Sequence, residues 1–164
     1  MLGKSLPDVT VEVSSAGRRE HLRLSSLKGR WHVLFFYPKA GTSVCQSEVV
    51  AFNSLRQKFE QAGAHLLGIS VDPLQQNEQW AKELKLGIPL GSDESKTAVK
   101  ALGILNEVKG NSYRATYILD PEGKVRFLLV QDNPIGRSPE EVLRVLRALQ
   151  SGQACPVGWT PAPQ

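Results

Sequence analysis

The seven residues Trp31 to Tyr37, WHVLFFY, constrain this chain more than any other stretch. A strand with one wet face alternates apolar and polar side chains, whereas a segment apolar at nearly every position has to be covered on both faces. Gly29 and Pro38 bound the run. Its longest unbroken apolar part, Val33 to Tyr37, is five residues, against the roughly 18 that a membrane-crossing helix needs. The segment predicts the central strand of a layered α/β domain, and no membrane association.

The flanking sequence supplies the layers. After the loop PKAGTSV, Val49, Phe52, Leu55 and Phe59 recur at helical spacing until Gly63, predicting one long helix from Cys45 to Ala62. Ala64 to Val71 (AHLLGISV) reads as a second buried strand, ended by Asp72-Pro73 and followed by a helix through Trp80 to Leu86. Ile88 to Leu90 predicts a short, edge-like strand, against which Pro89 counts, and Glu94 to Leu102 predicts a short helix. Tyr113 to Leu119 and Lys124 to Val130 flank the turn Asp120-Pro121-Glu122-Gly123 and predict an antiparallel pair. Near the N-terminus, alternation on either side of Ser14 to Gly17 predicts a β-hairpin. Ser138-Pro139-Glu140-Glu141 begins a final helix, with Leu143, Leu146 and Leu149 on its core face as far as about Gln150. Three of the ten prolines fall in Ala154 to Gln164, which reads as an arm. The organisation is one α/β domain over 1–152, a sandwich with a mixed central sheet flanked by helices, and a C-terminal arm over 153–164.

Composition narrows the function. The 20 Lys and Arg against 16 Asp and Glu leave a net charge of +4, but only Arg18 and Arg19 adjoin, so the basic residues read as a solvated surface and not as a nucleic-acid footprint. Residues Met1 to Val9 hold no secretory signal pattern, which predicts a cytoplasmic protein. His21, His32 and His65 lack ligand spacing, so neither a metal nor another cofactor is expected, and Trp31, Trp80 and His32 read as packing residues. The two cysteines, Cys45 and Cys155, form neither a disulfide scaffold nor a CxxC pair. Thiol chemistry and inert burial both remain open.

Cys45 begins the predicted long helix. Unpaired backbone N–H groups and the positive end of the helix dipole favour a thiolate there. Ser43 as cap with Gln46 three residues on fits a capping box, which would place Cys45 at the second helical position. Burial as a small hydrophobe is the usual fate of a lone cysteine.

The stretch PKAGTSVC, with Pro38, Thr42 and Cys45 in Pro-x-x-x-Thr-x-x-Cys spacing, resembles the active-site signature of the peroxiredoxins (the alkyl hydroperoxide reductase and thiol-specific antioxidant family). FFY before it and QSE after it fit, as do GISVD at 68–72, Trp80, RATYILDPEG at 114–123, PIGRS at 134–138 and ACPVGW at 154–159. The Cys-Pro-x-x-Trp tail is similar to that of the typical two-cysteine branch. The resemblance implies a thioredoxin-like fold and a thiol-dependent peroxidase acting on hydrogen peroxide and small organic hydroperoxides.

Under that resemblance each matched residue takes a role. Cys45 is the nucleophile; Arg114 supplies a permanent cation to thiolate and peroxide; Thr42 accepts from or donates to the peroxide; Pro38 shields the site; the N–H groups of Val44 and Cys45 complete the pocket. Glu48 needs a cation partner, Arg114 or Arg137. Cys155, of the partner subunit of a homodimer, resolves the Cys45 sulfenic acid to a disulfide, which an external dithiol reductant, a thioredoxin or a flavoprotein reductase, then reduces. Rings of dimers are the larger assembly of that branch. Two departures, LKLG at 84–87 in place of Gly-Gly-Leu-Gly and PAPQ at the end in place of a Tyr-Phe helix, imply fast resolution and resistance to overoxidation. The competing readings are a one-cysteine peroxidase resolved by a small thiol, and a redox relay or holdase that binds partner proteins through the same cysteines.

Overall fold

The computed structural model describes residues 1–162. Trp31–Phe36 is strand β3, following β1 (Thr10–Ser15) and β2 (Arg18–Arg23). Next come α1 (Ser43–Ser54), α2 (Arg56–Gln61), β4 (Ala64–Ser70), α3 (Leu74–Leu84), β5 (Leu90–Ser92), α4 (Thr97–Ala101), the two-residue strands β6 (Leu105–Asn106) and β7 (Asn111–Ser112), β8 (Arg114–Leu119), β9 (Val125–Gln131) and α5 (Pro139–Ser151). Seven strands form one mixed sheet in the order β2-β1-β5-β4-β3-β8-β9. The β3 strand pairs in parallel with β4 and antiparallel with β8, the interior position its apolar run demands.

Alternation along β3 builds two cores. Val33, Phe35 and Tyr37 face α1, α2, α3 and α5 and pack with Phe52, Phe59, Trp80 and Leu146; Leu34 and Phe36 face α4 and the N-terminal segment and pack with Val99, Ile104 and Leu6. Each such side chain contributes about 1.5–3 kcal/mol on burial. Phe35 stacks on Phe52 with ring centroids 4.1 Å apart. This contact fastens α1, and with it Cys45, to the sheet. Gly68 on β4 makes room for it, since a Cβ there would lie 2.6 Å from the Phe35 ring.

Three local expectations need correction. The predicted long helix breaks at Leu55, whose N–H is shared between Ala51 O and Phe52 O, while the Asn53 carbonyl accepts from Arg56 and its side chain accepts from Gly87 N. Side-chain bonds thus substitute for the helical ladder and bend the chain there. The short strand near Pro89 is not an edge, because β1 pairs along its outer side, Val13 opposite Gly91. Pro89 lies just outside that ladder and offers only its carbonyl, to Gly68 N. Finally, the cap of α1 is Thr42, not Ser43, and no side-chain bond closes a capping box. The Thr42 hydroxyl is spent on Lys39 O, so Cys45 stands at the third helical position.

The last helix follows its expected signals: the Ser138 hydroxyl accepts from Glu141 N, Pro139 is the first residue, and Gly152 leaves the helix at a φ of +68°. Residues 153–162 of the arm return toward α5, where Arg144 donates to Trp159 O. Positions 163 and 164 of the arm lie outside the described residues.

Candidate active site

Cys45 is fully buried and a free thiol. The first bond of the α1 ladder runs from Gln46 N to Thr42 O, so the N–H groups of Ser43, Val44 and Cys45 precede it and point out of the helix mouth. Pro38, at the end of β3, is buried, while Thr42 and Lys39 are exposed. The Thr42 hydroxyl donates to Lys39 O at 2.8 Å, which leaves it only lone pairs to offer.

From the facing strand β8, Arg114 reaches the sulfur. Its Nη1 donates to Cys45 Sγ at 3.3 Å and to Glu48 Oε1 at 2.6 Å, while Nε donates to Asn133 O at 2.8 Å. The guanidinium is held from two sides and is 3% exposed. Glu48 lies one helical turn after Cys45, the spacing that places both on one face of α1.

Of the two candidate partners for Glu48, the fold brings both. Arg137, on the segment leading into α5, donates its backbone N and its Nε to Glu48 Oε2 at 2.7 and 2.6 Å, and its Nη2 to Oε1 at 3.2 Å. Its remaining donors go to Ala115 O, Thr116 Oγ1 and Phe36 O, so every N–H of a fully buried guanidinium is used. Burial pushes Arg137 down from its ordinary value and the bonds from Glu48 oppose that shift. The cluster holds two cations and one carboxylate, all under 10% exposed. Only an ionised Cys45 brings its formal charge to zero. The involvement of Arg137 with the carbonyls of β3 and β8 has no local sequence signal, because its partners lie 22 to 101 positions away.

Cys155 sits elsewhere. Its thiol is a free, half-buried group against Ala148 O and the Ser151 hydroxyl, at the C-terminal end of α5. Arg137, two residues before that helix, is at Cys45. Cys155 therefore rests against the last turns of α5, whereas the residue bonded to Glu48 beside Cys45 precedes the first turn. Trp80 packs in the core against Tyr37, with ring centroids 5.6 Å apart. Among the described residues no three His, Cys, Asp or Glu side chains converge as a metal cage would require.

Comparison with known proteins identifies the family. The model of the AhpC/TSA family matches residues 2–128. Over an alignment of 171 positions, gaps included, the chain is 38% identical to Peroxiredoxin-2 of Mus musculus, covering 98% of this chain and 86% of that one. It is 37% identical to a thioredoxin peroxidase of Fasciola hepatica, over 87% of this chain and 79% of the relative. The reduced 2-Cys peroxiredoxin of Plasmodium vivax superposes with a TM-score of 0.89 at 32% identity, over 97% of this chain and 89% of that structure. With a thioredoxin-like sheet, a thiol at a helix mouth and a sequence match over nearly its whole length, the chain belongs to the AhpC/TSA family, the peroxiredoxins, and is a thiol-dependent peroxidase.

Proposed function

We propose that the protein reduces hydrogen peroxide and small organic hydroperoxides by a two-cysteine cycle. The observation that carries this reading is the buried cluster of Arg114, Glu48 and Arg137, which an ionised Cys45 neutralises. The Cys45 thiolate attacks the near oxygen of the peroxide; the S–O bond forms as the O–O bond breaks, and the far oxygen leaves as water or alcohol after taking a proton. Arg114 and the N–H groups of Val44 and Cys45 stabilise the charge that moves onto that oxygen, Thr42, whose hydrogen goes to Lys39 O, accepts from the peroxide, and Pro38 keeps water from the sulfur.

The sulfenic acid then condenses with the thiol of Cys155, releasing water and leaving a disulfide. A disulfide needs Cα atoms within about 7 Å and sulfurs in contact, and the Cys45 sulfur is fully buried. The mouth of α1 has to open for a second thiol to reach it. A second copy supplies the partner: β9 ends the sheet, and Leu128, Leu129 and Val130 on it stand 36 to 48% exposed. An apolar edge strand of this kind invites pairing with its own copy. A thioredoxin-like dithiol or a flavoprotein reductase returns the disulfide to two thiols, and free thiols at rest suit a reducing cytoplasm.

Stopped-flow peroxide reduction with thioredoxin as donor, on the wild type and Cys45→Ser, tests the reading. Loss of activity in the variant is expected, with a Cys45–Cys155 dimer on non-reducing gels that disappears in either Cys→Ser form. A wild type that consumes no peroxide would sink it.

A further inference from the structure

The GISVD segment at 68–72 closes strand β4, and its last residue has no part in the cluster around Cys45. Asp72 is a buried carboxylate, 8% exposed, with no cation partner among the described residues. Burying an unpaired carboxylate is costly, so what it bonds to is informative. Its Oδ2 accepts from Ser70 Oγ at 2.7 Å and, across 32 positions, from Ala40 N at 2.8 Å.

Ser70 ties Asp72 into a larger buried network. Asn77 Nδ2 donates to Ser70 Oγ at 3.0 Å and to Gly91 O at 3.0 Å, and Asn77 Oδ1 accepts from Tyr37 OH at 2.7 Å. Ser92 Oγ donates to Asp72 O. The ends of β3, β4 and β5 and the first turn of α3 are thereby joined into one rigid block. The loop from Pro38 to Thr42 leaves this block after Tyr37 N bonds Ile69 O, the last sheet bond of β3. Pro38 has no N–H, Lys39 is exposed, and Gly41 turns the chain at a φ of +82°. Within that loop the bond tying backbone to block is the one from Ala40 to Asp72.

We propose that Asp72 is a positioning residue for Cys45: through Ala40 N–H it holds the loop closed, so that Thr42 and the mouth of α1 stand where the peroxide is cleaved. The inference rests on the peroxidase reading above. It also assigns a switch point, because Cys45, fully buried, cannot meet Cys155 until this loop opens. Strengthening the Ala40 bond favours attack on peroxide, and weakening it favours disulfide formation. A carboxylate suits this use: it accepts from two donors at once, and hydrogen bonds to an ionised acceptor are about twice as strong as neutral ones.

The test compares wild type, Asp72→Ala and Asp72→Asn in stopped flow, following Cys45 oxidation by hydrogen peroxide and disulfide formation as separate steps. Misplacement by about 1 Å is worth on the order of 100-fold in rate. Asp72→Ala is therefore expected to slow the oxidation step by about 10- to 100-fold while disulfide formation stays equal or quickens. Asp72→Asn keeps an acceptor for Ala40 N–H and is expected to recover most of the oxidation rate. A residue that merely supported the fold would slow both steps together. An active wild type with Asp72→Ala equally fast in the oxidation step overturns the assignment without touching the peroxidase reading, as does an Asp72→Asn variant no better than the alanine. Should the alanine variant fail to fold, amide exchange at Ala40 in the wild type decides: protection in the reduced protein that is lost in the disulfide form is expected, and fast exchange in the reduced protein overturns the proposal.

Discussion

Arg114 Nη1 lies 3.3 Å from the Cys45 sulfur and 2.6 Å from Glu48 Oε1, so one nitrogen of the guanidinium joins the nucleophile to its counter-charge. The rest of the group is oriented by Nε on Asn133 O. Lysine in its place keeps a cation and loses the plane that makes three contacts from fixed directions. Arg114→Lys is expected to reduce the second-order rate of Cys45 oxidation by about 100-fold, the usual cost of losing an aligned donor to a developing oxyanion. Stopped-flow fluorescence measures it, and a rate within about threefold of wild type would show that charge alone suffices.

Glu48 receives four bonds, three from the guanidiniums of Arg114 and Arg137 and one from the Arg137 backbone N–H. Removing its charge leaves two buried cations facing each other. Glu48→Gln is expected to destabilise the fold by about 3–5 kcal/mol, because breaking a buried pair strands its partners. Its NH2 group would also meet guanidinium donors where an acceptor is needed. Urea denaturation checks this, and a loss below about 1 kcal/mol would mean that the arginines find water or other acceptors instead.

Local patterns in the sequence located the seven strands of the main sheet and the loop before Cys45, while the resemblance to the peroxiredoxins pointed to Arg114, Thr42 and Pro38. The double-sided burial of Trp31 to Tyr37 was readable because seven residues of apolar character admit few other solutions. Glu48 was recognisable as needing a cation, yet its choice between Arg114 and Arg137 was not, since the answer depends on carbonyls of Phe36 and Ala115 that only the assembled sheet brings to Arg137. The cap of α1 falls on Thr42, one residue before Ser43, and no side-chain bond decides it, because the Thr42 hydroxyl goes to the Lys39 carbonyl. Pro89 misdirected the reading of β5, for a proline excludes an inner position only when it stands within the ladder. The anchoring of Ala40 by Asp72 spans 32 positions and left no mark in the local pattern.

Val130 on β9 is 48% exposed and belongs to the strand that ends the sheet. A lysine on such an edge is a common device against strand pairing. If two copies join along β9, Val130→Lys is expected to shift sedimentation from dimer to monomer and to remove the peroxide-induced disulfide dimer, while the first oxidation of Cys45 stays close to wild type. A dimer unchanged in sedimentation would place the contact between copies elsewhere.

His32 ties stability to pH. It is buried on β3 opposite His65 on β4, ring centroids 5.5 Å apart, and its Nε2 has no partner among the described residues. Burial, then the nearby His65 and Arg30, lower it from 6.5 to about 4, against a smaller opposing bond to the Lys28 backbone. Arg30 in turn contacts His65 Nε2, and Glu60 also acts on His65. Between the two values the unfolded chain binds a proton that the folded chain refuses, so this contribution to stability falls as pH falls from about 6.5 to about 4 and is constant outside that window. Its ceiling is about 3 kcal/mol, reduced by whatever solvent reaches the ring. His32→Val removes both the titration and the unpartnered nitrogen. Urea denaturation of both proteins at pH 7.5 and 4.5 is expected to show the variant gaining about 1–3 kcal/mol on the wild type in the acid. A difference between them that does not change with pH would mean that His32 takes up its proton equally in both states.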